Sequence, residues 1–250
     1  MRIPFSVYDF FGYLFPGSLL LIAISYYMGG TSLASSVPWV NDPVLRLYVL
    51  GMMSYIVGHI VAQCSGGICG RVMIDKVLKR PNQNLFRQSS DRDWRDQLFS
   101  KYVRPFDDAT KSRILSPAHA QNVNQQNGES LFLHAWAKVK KDKDTMERLN
   151  VFLSLYGFCR NTSFVFGVLA VVCVMHPTVH APAWFISVAL ASLTLFYRYL
   201  YFLRRYAEEV FLTYASFEDP NVSNGRHSKT LVGEVRRRYR IEGSPPTRHS

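Results

Sequence analysis

Residues 151–176 read VFLSLYGFCRNTSFVFGVLAVVCVMH, an apolar run that is interrupted by Arg160 and Asn161. The run slightly exceeds the ~20 residues that a helix needs to cross a hydrocarbon core. A charge at the bilayer centre costs about 3 kcal/mol on insertion scales. The segment is therefore either not one simple span, or it places Arg160 at a membrane edge or in a functional cavity.

Three further stretches of the chain are apolar and carry few or no charges. With their flanks, the apolar blocks reach about the length of a membrane-spanning helix. Four such blocks in 250 residues leave little amphipathic surface to cover them. The sequence therefore predicts an all-α integral membrane protein with four spans and a cytoplasmic helical domain between spans two and three. The blocks are Leu14–Met28, Leu47–Ala62, Ser163–Met175 and Trp184–Leu203.

These blocks divide the chain into five expected segments. Residues 1–64 hold an interfacial segment and spans one and two, and residues 65–160 form the cytoplasmic helical domain with an extension of span three. Spans three and four occupy residues 161–203. A cytoplasmic helical extension follows at 204–218, and a basic, disordered tail ends the chain at 219–250.

The distribution of Lys and Arg predicts the orientation of the spans. The chain carries a net charge of +11, and its basic residues are concentrated in 65–150 and 198–250. The connections 29–46 and 177–183 contain few or none. Because cytoplasmic segments are enriched in Lys and Arg next to span ends, both termini are expected in the cytoplasm.

The first apolar block begins with an aromatic segment, residues 7–15, which is followed by Pro16. Aromatic side chains favour the headgroup level of a bilayer. A short interfacial or re-entrant helix before Pro16 is one expectation, and a continuous span kinked at Pro16 is the alternative. The block is longer than the apolar region of a signal peptide, so we expect it to be retained.

Span two contains a small-residue stripe formed by Ser54, Gly58 and Ala62, which are four residues apart. Small residues at this spacing let helix backbones approach closely within a membrane. The stripe serves packing either within the chain or between chains. His59 and Thr194, together with Ser54, are the modest polar candidates that a transporter would use.

Two helices are predicted in the polar part of the chain. Trp94, Leu98 and Tyr102 are four residues apart and face one way, which indicates the buried face of a helix. Glu129–Phe158 is expected to form one long helix that leads to span three. Span three itself then begins near Arg160, at the cytoplasmic boundary.

Arg160 is expected to pair with Glu208, Glu209 or lipid headgroups. Such a pair would couple the cytoplasmic domain to the membrane helices. Glu208 and Glu209 lie in the expected extension of span four, where each is four residues after an arginine.

The sequence contains no motif that indicates catalysis, a cofactor or a metal. Its four cysteines and seven histidines lack metal-ligand spacing. We therefore expect no enzyme. The basic residues near the span ends would contact anionic lipid headgroups, with nucleic acid or an oligonucleotide as the alternative ligand. These candidate contacts are Arg71, Lys76, Lys79, Arg80, Arg204 and Arg205.

The segments Tyr8–Gly17, YDFFGYLFPG, and Arg198–Tyr214 resemble poorly characterised bacterial multi-pass membrane proteins that are found with anti-phage defence genes. The resemblance carries over no functional residue. It implies an oligomeric inner-membrane effector or sensor, as in the membrane components of Kiwa or Hailong systems, with a ligand- or partner-gated pore as one mode of action. The alternative is a non-conducting anchor or scaffold that recruits a cytoplasmic protein partner.

Overall fold

The structure is a computed structural model that describes residues 9–27, 42–88, 93–120, 128–175 and 181–218. Within these ranges the chain is helical apart from short turns and contains no strand, so the all-helical expectation is confirmed there. The expected disordered tail at 219–250 lies outside the described residues. Most of the connections 29–46 and 177–183 also lies outside them.

The described α-helices are α1 Phe15–Tyr27, α2 Pro43–Ser65, α3 Pro81–Leu85, α4 Trp94–Leu98, α5 Ser100–Val103, α6 Asp108–Ala120, α7 Gly128–Val139, α8 Lys143–Met175 and α9 Ala181–Glu218. A π-helical turn precedes α1 at Phe10–Leu14, and a longer π-helical segment, Gly66–Leu78, continues α2. Asp42 starts α2, because its carboxylate accepts hydrogen bonds from the Val44 and Leu45 amides.

Three helical stretches are long and apolar enough to cross a membrane: Pro43–Leu85, Lys143–Met175 and Pro182–Phe217. A fourth apolar helix, Phe10–Tyr26, is shorter. The chain is helical throughout Asp9–Tyr27. This fits a helix that continues through Pro16 and not a separate interfacial or re-entrant helix before it.

The chain forms two compact units. Unit 1 consists of Met1–Pro81, Asp93–Val103 and Asn150–Arg205, and unit 2 consists of Asn82–Arg92, Arg104–Leu149 and Tyr206–Ser250. This division differs from the cytoplasmic domain expected at 65–160. The segment Asp93–Val103 belongs with the apolar helices because it packs against α9, as described below. Helices α8 and α9 each supply residues to both units.

Each unit has its own apolar core. The core of unit 1 is formed by Cys69, Ile74, Leu78, Tyr102, Val103, Cys159, Phe196, Tyr199 and Leu200. The core of unit 2 is formed by Leu85, Phe106, Ile114, Leu131, Ala135, Val139, Leu149, Ala207, Val210, Phe211 and Tyr214.

The predicted buried face of Trp94, Leu98 and Tyr102 is wrong for two of its members. The helix is interrupted at Phe99, whose φ of −127° and ψ of 38° lie outside the helical region. The interruption rotates Tyr102 into the core, where it is 3% exposed, while Trp94 is 51% and Leu98 60% exposed.

The prediction of a single helix at Glu129–Phe158 is also wrong, because a turn at residues 140–142 separates α7 from α8. Asp142 stabilises the start of α8. Its carboxylate accepts hydrogen bonds from the Thr145 amide at 3.2 Å and from the Thr145 hydroxyl at 2.5 Å.

Candidate functional site: a buried polar cluster among the apolar helices

The side chain of Asn161 is the centre of a polar cluster inside unit 1, and it is only 1% exposed. Its Nδ2 donates to the backbone oxygen of Gly12 at 2.7 Å. Its Oδ1 accepts from the Ser65 hydroxyl at 2.5 Å and from Arg160 Nε at 3.2 Å. The amide of Asn161 thus joins three helices. They are the apolar helix Phe10–Tyr26, called the first helix below, the end of α2, and α8.

Pro16 explains why the Gly12 oxygen needs a donor from another helix. A proline has no backbone N–H, so the helical bond from residue 16 back to residue 12 is missing. A buried carbonyl oxygen without a partner is costly in an apolar environment. Asn161 supplies that partner, and the cluster therefore compensates for a proline within the first helix.

Arg160 binds within the same cluster. Its Nη2 donates to the Ala62 oxygen at 3.4 Å, and its guanidinium carbon lies 5.9 Å from the centroid of the Tyr156 ring. These contacts lie within unit 1, and the expected pairing of Arg160 with Glu208, Glu209 or lipid headgroups stays a prediction. The cation is thus solvated by amide and carbonyl dipoles and by an aromatic face.

Glu208 and Glu209 are buried in unit 2. Glu209 Oε1 accepts from Arg148 Nε at 2.9 Å, and Arg148 also donates to the Thr145 hydroxyl. This pair could not be identified from sequence spacing, because 61 residues separate its members. Glu209 thus belongs to a hydrogen-bonded ion pair with Arg148 inside unit 2.

The small-residue stripe lies against the first helix. Ser54 and Gly58 are buried, and a methyl group on Gly58 would overlap the backbone oxygen of Tyr13. In the same way, a methyl group on Gly17 would overlap the backbone oxygen of Ser54. Two members of the stripe thus serve packing within the chain, and the third, Ala62, contributes its carbonyl oxygen to Arg160.

Helices α8 and α9 are joined by a pair of serines that the sequence analysis did not identify. The Ser163 hydroxyl donates to the Ser192 carbonyl at 2.8 Å, and the Ser192 hydroxyl donates to the Ser163 carbonyl at 2.9 Å. Small polar residues of this kind bring membrane helices close together. Ser163 directly follows the Asn161–Thr162 pair, so this crossing adjoins the polar cluster.

The candidate basic contacts divide into exposed and buried residues. Arg71, Lys76, Lys79 and Arg80 are exposed, whereas Arg204 is buried. Arg80 pairs with Asp75 at 2.8 Å. Arg71 and Lys76 are thus exposed cations on the segment Gly66–Leu78, and their contact with lipid stays a prediction.

Arg204 and Arg205 are oriented towards other residues of unit 1. Arg204 Nη1 donates to the backbone oxygen of Tyr102 at 2.9 Å. Arg205 Nε donates to the Tyr201 hydroxyl at 3.3 Å, and its guanidinium carbon lies 5.4 Å from the Tyr201 ring centroid. Arg204 therefore has a structural role at the end of α5, whose last carbonyls lack helical partners.

Lys79 is the one described non-glycine residue with a positive φ, at 61°. Its carbonyl oxygen accepts from the Tyr102 hydroxyl at 2.9 Å. Burial raises the pKa of that hydroxyl, so it remains a donor. The hydrogen bond holds the chain in a conformation that L-residues rarely adopt.

The described residues contain no group of three or more His, Cys, Asp or Glu side chains that could hold a metal ion. The site therefore consists of hydrogen-bonding dipoles and one cation, within an all-helical protein that has three helices of membrane-spanning length. No protein-family model matches the chain, and no curated protein or solved structure matches it.

Proposed function

We propose that the protein is a four-span helical membrane protein that acts as an oligomeric effector or sensor, opening a ligand- or partner-gated pore. Its residence is the inner membrane of a bacterium, and its role is anti-phage defence. The first apolar helix would supply the fourth span. The resemblance of Tyr8–Gly17 and Arg198–Tyr214 to membrane proteins found with defence genes supports this role.

The proposed orientation places both termini and unit 2 in the cytoplasm. The exposed Arg71 and Lys76 directly follow the apolar part of Pro43–Leu85. Basic residues at that position favour the cytoplasmic side. They are also placed to contact anionic lipid headgroups.

The pore proposal rests on His59 and Gln63, which are exposed on α2 and lie one turn apart, with one face of the His59 ring stacked on Tyr13 at a centroid distance of 4.0 Å. His59 is about 9 Å before the end of α2, within its apolar run. Polar side chains in a membrane helix usually face other helices or a water-filled cavity. Association of several copies around a path lined by His59 and Gln63 would provide that environment.

Conductance across a planar bilayer tests the pore. Purified full-length protein should conduct once its ligand or partner is supplied, and His59→Leu should reduce the conductance. Ile60→Leu is the matched control, because Ile60 is an exposed apolar neighbour on the same helix. A protein that never conducts, with nucleic acid, oligonucleotides or candidate protein partners present, would exclude the pore.

The non-conducting anchor is the second candidate, and α7 in unit 2 provides a way to test it. Leu133 is 60% exposed, on the face of α7 opposite the buried Leu131 and Ala135. It is therefore the residue with which to probe whether that face binds a protein partner. Three results together would favour this function: the protein recruits a cytoplasmic protein, the Leu133→Glu variant does not, and the protein does not conduct in bilayers.

A further inference from the structure

The short segment Asp93–Val103 belongs to the same compact unit as the apolar helices. It is attached to α9 at Tyr197. The Tyr197 hydroxyl donates to the backbone oxygen of Leu98 at 3.0 Å, and the Phe99 ring stacks on the Tyr197 ring with centroids 5.4 Å apart. Tyr197 lies within Pro182–Phe217, one of the stretches of membrane-spanning length.

The polar groups on the inner side of this segment are satisfied within unit 1. Arg95 is 5% exposed and donates to the Leu78 oxygen and to the Asp93 carboxylate. Asp93 and Asp96 form a capping box at the start of α4. A segment that enters a low-dielectric region must satisfy its polar groups in this way.

The exposed residues of the segment include one apolar pair, Trp94 and Leu98, flanked by the polar Asp93, Gln97, Ser100 and Lys101. Trp94 and Leu98 are one turn apart and are the two large exposed apolar residues of α4. Tyr197, which contacts Leu98, is itself 48% exposed, and Leu193 and Tyr201 are exposed on the same helix. The exposed apolar surface of α9 therefore continues onto α4.

The position of Tyr197 along α9 indicates the depth of this surface. Tyr197 follows the exposed Trp184 by about 13 residues, or roughly 20 Å of helix. A hydrocarbon core is about 30 Å thick. If Trp184 marks the outer interface, Tyr197 lies about 10 Å inside the inner boundary of the core, which is the depth that the apolar face of an interfacial helix reaches.

We infer that Asp93–Val103 is a membrane-interface anchor whose occupant is the lipid bilayer. Trp94 and Leu98 enter the boundary between acyl chains and headgroups of the cytoplasmic leaflet, where tryptophan is enriched. Lys101 is exposed on α5, and Arg198, which directly follows Tyr197, is exposed on α9; both cations are suited to anionic headgroups. This inference rests on the proposed membrane crossing of α9.

Depth-dependent quenching of single tryptophans tests the anchor. The full-length chain contains four tryptophans, and replacing Trp39, Trp136 and Trp184 by Phe leaves Trp94 alone. The variant is reconstituted into phosphatidylcholine–phosphatidylglycerol vesicles whose lipids carry bromine near the headgroup or near the chain end. We expect strong quenching of Trp94 by the shallow bromine and little quenching by aqueous iodide.

Two matched variants distinguish failure of the proposed anchor from failure of the proposed membrane crossing. A variant with only Trp184 reports on the proposed crossing, and a variant with only Trp136, which bonds to Tyr206 in unit 2, is expected to escape lipid quenching. If brominated lipid quenches Trp184 but not Trp94, the anchor is excluded while the crossing stands. If neither is quenched, the membrane crossing itself is excluded. Protection of Trp94 from both bromine and iodide would show a protein neighbour and would also overturn the anchor.

Discussion

Asn161 Nδ2 lies 2.7 Å from the backbone oxygen of Gly12, although 149 residues separate the two in the chain. The oxygen is the one that Pro16, four residues later, leaves without its helical donor. One side chain on α8 thus completes the hydrogen bonding of the first helix. Such bonds contribute about 1 kcal/mol each, and leaving a buried group unsatisfied costs about 1–3 kcal/mol.

Asn161→Leu is expected to lower the free energy of unfolding in detergent by about 1–3 kcal/mol, because it leaves the Gly12 oxygen and the Ser65 hydroxyl without this partner. Pro16→Ala restores a backbone N–H near Gly12. Asn161→Leu should therefore cost about 1 kcal/mol less in a Pro16→Ala background than in the natural chain. A double-mutant cycle with the unfolding free energy as readout measures this coupling. Strict additivity would contradict the pairing.

Gly58→Ala is expected to destabilise the protein by about 1–3 kcal/mol, because the added methyl group would overlap the Tyr13 backbone and force the helices apart. Gly51→Ala is the matched control on the same helix, since nothing lies within 4 Å of the Cβ that it adds. Thermal unfolding followed by circular dichroism should separate the two. Equal stability of both variants would show that α2 does not pack on the first helix.

Sequence patterns predicted the helical fold and three helices of membrane-spanning length, because the apolar residues occur in blocks that carry few charges. They failed where a single residue overrides a periodicity. The backbone at Phe99 separates Trp94 and Leu98 from Tyr102, and Asp142 starts a new helix inside the expected Glu129–Phe158 helix. Asp142 lies directly before Lys143–Met175, and an aspartate at that position is a local N-cap signal that could have indicated this helix start.

The polar cluster was only partly predictable for a different reason. Arg160 and Asn161 stand out as polar residues in an apolar run, and the sequence identified them. Their partners Gly12 and Ala62 act through backbone oxygens, which every residue possesses. No residue type marks such an acceptor, so only the packing of the helices reveals it.

Lys79→Gly is expected to raise the free energy of unfolding by about 1 kcal/mol. Glycine adopts a positive φ without steric cost, whereas lysine at φ 61° is strained by about 1–3 kcal/mol. Part of this gain is offset by the greater backbone entropy of glycine in the unfolded chain. Lys79→Ala is the control that removes the charge but keeps the strain. If Lys79→Ala stabilises as much as Lys79→Gly, the charge of Lys79 and not its backbone is responsible.

Arg148→Met should destabilise unit 2 more than Glu209→Gln does. The Glu209 side chain is 8% exposed, and the Arg148 side chain is 42% exposed. Loss of Arg148 removes the cation from a buried carboxylate, whereas loss of the Glu209 charge leaves an arginine that water can reach. We expect a difference of about 1 kcal/mol in chemical denaturation of the two variants. The reverse order would mean that Arg148 is not the principal stabilising partner of Glu209.

Arg160→Gln is expected to stabilise the protein in a bilayer by about 1–3 kcal/mol. The hydrogen-bond acceptors of Arg160 in the described residues are the Asn161 amide oxygen and the Ala62 carbonyl oxygen, neither of which carries a full negative charge. A cation solvated only by dipoles is costly among apolar helices, and a glutamine can still donate a hydrogen bond there. Arg71→Gln, at an exposed site, is the control and should change stability little. If the folded fraction in a bilayer unfolding assay falls in Arg160→Gln, the cation stabilises the helices.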